Sequence, residues 1–204
     1  MTGTTQKDIA ADLMARHGPS LAGELGLELS QNTPAPLFRL LCAALLLSAR
    51  ISSDLAMRAA AALAEAGWTT PAKLGDSTWQ ERVEVLNGAG YARFDEKTAT
   101  MLGELAEKLL DDYGGDLRRL RRAAGRDPDE EHRLLREFKG IGDLGADIFC
   151  REAQVAWDEL YPYADSRTLS EAARRGLPET PEGLGDLVGR ARLPGLLAAL
   201  MRAT

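Results

Sequence analysis

Several things are scarce in this 204-residue chain, and each scarcity narrows the reading. Aromatic residues make up 5% of it, and cysteine and histidine occur twice each. Cys42 and Cys150 sit in apolar helical settings, so both are expected to be buried free thiols. His17 and His132 lie far apart in sequence without a spaced carboxylate motif, which leaves no metal-site signature, and no metal or cofactor is expected. The longest apolar run, Leu40 to Leu47, is far shorter than the ~20 residues that cross a bilayer. No basic-then-apolar segment opens the chain, so a cytoplasmic protein with no membrane partner is expected. An excess of positive charge is also missing: the formal net charge is −6 and the pI about 5.1. A surface that grips nucleic acid over its whole extent is thereby excluded, and a local basic face must do it if anything does.

Apolar residues reach 45%, and alanine, leucine, arginine and glutamate dominate, which favours helix throughout. The length suits one sizeable core or two small lobes. The apolar spacing predicts an all-α chain: a first helix from Thr4 or Thr5 to His17, a linker over 31–36, a buried helix from Leu37 to Ala49, and one from Asp54 to Ala66 capped by Ser52 or Ser53. Short helices are expected over 71–74 and 78–86. A long amphipathic helix follows from Asp95 to Tyr113, ended by Gly114-Gly115, and then a short one over 116–124. Two more are expected near the end, one starting at Pro181 and one from Pro194 to Arg202. No strand pattern and no internal repeat is present.

Two stretches carry the chemistry. In the first, RLLREFKGIGDLGADIFCREAQ (133–154), Leu134, Leu135 and Phe138 recur at helical spacing before KGIG. Gly140 and Gly142 allow backbone angles that a Cβ resists, Ile141 can plug the gap between two helices, and Asp143 is the expected N-cap of the second. Amides of Gly140, Gly142 and the following turn, Gly145 included, would then point outward together, an arrangement that binds phosphate. A plain glycine turn is the alternative. In the second stretch, YADSRTLSEAARR (163–175), Asp165 opens a helix with Leu169, Ala172 and Ala173 on one face. Its carboxylate is expected at the helix N-terminus, where amides and the macrodipole favour an anion, and a simple cap is again the alternative. Arginines cluster on either side, at 118, 119, 121, 122 and 126 and at 167, 174 and 175, as DNA contacts or as solvated helix faces.

Together these stretches resemble the helix-hairpin-helix DNA glycosylase superfamily, in its endonuclease III-like branch. FKGIGDLGAD matches the hairpin, with Lys139 in place of the usual proline, and YADSRTL matches the segment carrying the family's catalytic aspartate. LLLSARISSDLA (45–56) is similar to the segment that sends a polar side chain into DNA beside the flipped base, which places Arg50 there. GAGYARFDEKTATM (88–101) is similar to the loop and helix bearing a second inserted side chain, matched by Tyr91. The resemblance covers roughly residues 36–176.

The resemblance implies two helical lobes, one over 34–150 and one made of 1–33 with 151–204, and double-stranded DNA with a damaged base bound in a cleft between them. A monomer is expected. It also implies hydrolysis of an N-glycosidic bond on a flipped nucleotide, with Asp165 stabilising the positive sugar and orienting or deprotonating water. Lys139, Gly140, Ile141, Gly142 and Gly145 would hold a phosphate, Arg50 and Tyr91 would fill the hole, and Trp157, Tyr161 and Tyr163 would line the base pocket or pack a seam. The linker over 155–164 is a few residues longer than the family's. The four clustered cysteines of many relatives' iron–sulfur centre have no match after Cys150, so no cluster is expected. Bifunctional relatives place a lysine where this chain has Leu144, so a monofunctional enzyme without lyase activity is expected. The KGIG-x-x-x-AD spelling is similar to that of alkylpurine-removing members. Two other classes stay open: a DNA-structure-binding protein without the chemistry, and a helical protein-interaction module.

Overall fold

The computed structural model describes residues 5–49, 51–92 and 94–203. Among them no strand occurs, and the helices in chain order are α1 (Gln6–His17), α2 (Leu21–Glu24), α3 (Pro34–Leu47), α4 (Ser53–Glu65), α5 (Pro71–Gly75), α6 (Trp79–Gly88), α7 (Asp95–Tyr113), α8 (Leu117–Ala123), α9 (Pro128–Leu135), α10 (Asp143–Ala153), α11 (Ser166–Arg174), α12 (Pro181–Val188) and α13 (Leu193–Arg202). Single 3-10 turns stand at Leu29–Gln31 and Asp158–Leu160. No helix among the described residues is long and apolar enough to cross a membrane. The chain divides into two compact units, Asn32–Phe149 and the combination of Met1–Gln31 with Cys150–Thr204.

In the unit Asn32–Phe149, α3 is apolar around most of its circumference, which is the signature of a helix enclosed by others. Leu37, Phe38, Leu40, Leu41 and Leu46 on it are buried. Its start differs from the expectation: the segment read as a linker contributes the first turn, because Pro34 occupies a position whose missing N–H has no intrahelical partner to lose. Arg82 ties α5, α6 and α7 together, its guanidinium donating to the carbonyls of Ser77 at 2.7 Å and Ala99 at 2.9 Å. The Cys42 thiol lies in this core, where burial pushes it up to about 12.

The other unit packs α1, α11, α12 and α13 around Ala10, Leu13, Ala172, Leu184, Leu193, Leu196, Leu197 and Leu200. Polar side chains close its ends. Arg202 donates to the carbonyls of His17 at 2.8 Å and Pro19 at 2.7 Å, and Gln6 donates to that of Gly176 at 2.8 Å. The helix starts follow the capping rules: Thr5, Ser52, Thr78, Asp116, Asp127 and Asp165 each accept a backbone N–H of the turn they precede.

Candidate functional site

The hairpin joins α9 to α10 within Asn32–Phe149. Gly140 takes the left-handed conformation with φ +92°, and a Cβ there would stand 2.8 Å from Met101 Sδ. The turn therefore needs glycine at this position for two independent reasons. Gly142 is different, since it has no positive φ and a Cβ built on it would meet open space. The expectation that both glycines serve the turn is corrected on this point. Asp143 is corrected too: it is the first helical residue rather than the cap, which falls to Gly142, and its carboxylate pairs with Arg136 at 3.0 Å. Ile141 is buried, as a plug between helices must be. Gly145 lets α10 approach α3, because a Cβ would lie 2.7 Å from Ser48 Oγ and 3.2 Å from Ile141 Cγ2.

Lys139 is exposed and its ammonium sits 2.7 Å from Glu104. His132 Nε2 lies 3.0 Å from Asp147 Oδ1, a contact that links α9 to α10. Leu144, at the position where bifunctional relatives carry lysine, is 40% exposed in the first turn of α10. The first amides of that helix have no intrahelical acceptor by the geometry of any helix start, and the open face over Gly142 leaves them approachable. A cavity of about 310 Å³ opens beside Gly140, walled by Leu45, Ser48, Phe94, Lys97 and Met101.

Other expected contacts fall elsewhere. Tyr91 is 1% exposed, and burial pushes its phenol up, so it is a core residue rather than a side chain free to enter DNA. Arg50 lies outside the described residues. Of the first arginine cluster, Arg121 is buried and Arg118 clasps Asp116 with contacts of 2.8 to 3.1 Å. Of the second, Arg174 and Arg175 are each 2.6 Å from Glu171, and Arg175 also donates to the Ala203 carbonyl at 2.7 Å. Arg118 and Arg175 thus brace the chain locally, while Arg119, Arg122, Arg126 and Arg167 are exposed.

Asp165 belongs to the other unit and is the N-cap of α11. Its Oδ1 accepts the backbone N–H groups of Arg167 and Thr168, both at 3.1 Å. Its Oδ2 lies 3.3 Å from Arg151 Nε and 3.1 Å from Thr168 Oγ1, and the Asp165 and Arg151 side chains are each 9% exposed. The segment leading to it is fastened. Gln154 donates to the carbonyls of Arg151 at 2.7 Å and Tyr163 at 3.2 Å, and accepts the Tyr163 N–H at 3.0 Å. Arg190 donates to the Gln154 carbonyl at 2.9 Å, pairs with Asp158 and stacks over the Tyr161 ring at 5.5 Å. Trp157 is fully buried and Tyr161 packs on Gly185, so both support the segment.

Arg151, Glu152 and Gln154 are not among the residues the sequence points to as a site. Glu152 accepts the N–H groups of Leu21 at 3.1 Å and Ala22 at 3.0 Å, and burial pushes its carboxyl up. The signal was present in the spelling, for FCREAQ sets three polar residues at the end of an apolar helix and all three are buried. Buried polar side chains need partners, and these supply the ties around Asp165 and α2.

No protein-family model, curated protein or solved structure matches this chain.

Proposed function

We propose that the protein is a monofunctional DNA glycosylase of base-excision repair, acting on double-stranded DNA that carries a damaged base, with alkylated bases the first class to test. The observation that carries this reading is the Asp165 carboxylate, nearly buried and held at a helix N-terminus by two amides. A fixed anion of this kind stabilises the cation that develops on deoxyribose as the N-glycosidic bond breaks. The hairpin supports the reading with a different resource, since the amides at the start of α10 suit a phosphate of the damaged strand and fix register without reading sequence. The reading requires one duplex to meet both the hairpin of one unit and the carboxylate of the other.

Water is the nucleophile in this scheme. Leu144 has no lone pair, and the Lys139 amine is engaged by Glu104. The abasic site is left uncut, and the protein acts as a monomer. The Arg151 partner of Asp165 favours one competing reading, a DNA-structure binder in which the aspartate is only an ion-paired cap.

The test is a panel of duplex oligonucleotides with one lesion each, scored for free base and for strand cleavage. The proposal expects release of at least one base with the strand intact. Duplex binding that weakens with salt but releases no base from any lesion would favour the binder. Borohydride should trap no covalent adduct on the processed substrate, and Leu144→Lys is the variant expected to gain one.

A further inference from the structure

We propose that Arg151 is a positioning residue for Asp165, fixing the one carboxylate oxygen that can face the sugar; this rests on the glycosylase reading above. The two oxygens of Asp165 are not equivalent. Oδ1 accepts two amides of α11, which leaves it no role but anchoring. Oδ2 has two neighbours, Arg151 Nε at 3.3 Å and Thr168 Oγ1 at 3.1 Å. The Thr168 hydroxyl has a single hydrogen, and its shorter contact is with the Asp165 carbonyl at 2.8 Å. Oδ2 therefore keeps acceptor capacity, and the guanidinium is the charged group that locates it. Water cannot take over this task easily, because both side chains are 9% exposed.

The backbone that carries Arg151 is tied to the segment it serves. One carboxamide, that of Gln154, binds the Arg151 carbonyl on one side and both backbone groups of Tyr163 on the other, two residues before Asp165. Arg151 and Asp165 are thus referenced to the same side chain. This arrangement sets direction: Oδ2 is turned by a contact from α10, while Oδ1 is pinned by α11. Removing the guanidinium leaves the whole carboxylate to the two amides at Oδ1, so that its remaining play about the Cβ–Cγ bond is no longer opposed from the Oδ2 side.

The test uses a lesion duplex that the wild type opens, with base release followed in single turnover and affinity measured on the abasic product. Arg151→Met should slow release about 100-fold, the order expected from misplacing a reacting group by about an ångström. Affinity for abasic DNA should stay within about twofold, which separates positioning from binding. Arg151→Lys should recover part of the rate, and added methylguanidinium should partly restore folded Arg151→Ala. Combined with Asp165→Asn, Arg151→Met should cost nothing further, because it acts only through that carboxylate. Release by Arg151→Met within about threefold of the wild type, a loss that adds to that of Asp165→Asn, or folded Lys and Ala variants with no rescue would each overturn the proposal. Absence of base release by the wild type from every lesion would instead sink the glycosylase reading and this inference with it.

Discussion

Charge is handled in opposite ways at the hairpin and at the start of α11. Around the hairpin the charged side chains stay in water and pair with neighbours: Arg136 with Asp143 at 3.0 Å, Lys139 with Glu104 at 2.7 Å, Arg133 with Glu130 at 2.7 Å. Such exposed pairs contribute little, roughly 0–1 kcal/mol each. What distinguishes the hairpin is its backbone, with a left-handed Gly140 and an unobstructed Gly142. At α11 the backbone is an ordinary helix start, and the distinguishing feature is one carboxylate taken out of water and given two amides and a guanidinium. A site built on backbone tolerates most side-chain changes and fails when a Cβ intrudes, whereas a site built on one side chain fails when that side chain changes.

This contrast can be broken by substitution. The largest effect on folding is expected from Gly140→Val, which forces a β-branched residue to φ +92° and toward Met101. The cost should be about 1–3 kcal/mol or more, read as a lower urea midpoint with DNA binding lost only as folding is lost. Gly142→Asp should do the reverse. Aspartate is a good N-cap and a Cβ at that position meets nothing, so stability should hold or rise. The added carboxylate would occupy the amides at the start of α10, and duplex affinity should fall roughly tenfold for every sequence alike. Loss of stability in this variant, or a change in lesion preference at full affinity, would contradict a phosphate contact at the hairpin amides.

A smaller effect, whose pH dependence is confined to acid, is expected at Glu171. The hydrogen bond from Arg175, reinforced by Arg174, holds its carboxyl below the usual glutamate range. A lowered native value means that this contribution is present above the unfolded value and lost as pH falls through the native one. Glu171→Gln should therefore lower stability by a constant amount at neutral and alkaline pH and flatten the acid side of the profile. Glu152 has the opposite sign: burial raises its carboxyl, so its contribution is full when protonated and lost as pH rises through the native value. A Glu171→Gln variant with the wild-type acid profile would contradict the pairing.

Much of the helical plan was legible because it rests on local signals. Ser52, Thr78, Asp116 and Asp165 cap the turns they precede, and Met101, Leu102, Leu105 and Leu109 fall on one stripe of α7. Errors arose where a residue type has two uses. Pro34 reads as a breaker in a linker but is equally suited to a first helical turn. Asp143 fits a cap, yet Arg136 lies within reach and Gly142 can cap in its place. Tyr91 looks like a loop residue beside Gly90, and its burial depends on neighbours that no local pattern announces. The aspartate itself could be picked out as an N-cap. Its partner Arg151 could not, because an ion pair between α10 and the start of α11 is a tertiary contact.

Single-turnover base release by Asp165→Asn decides whether this carboxylate is catalytic. Asparagine keeps the cap and most of the shape while removing the charge, so fold and duplex affinity should persist. Release from a lesion the wild type processes should fall by about 10²–10³, the size expected when a fixed electrostatic partner of the transition state is lost. Turnover close to wild type would contradict it and leave Asp165 as nothing more than the cap of α11.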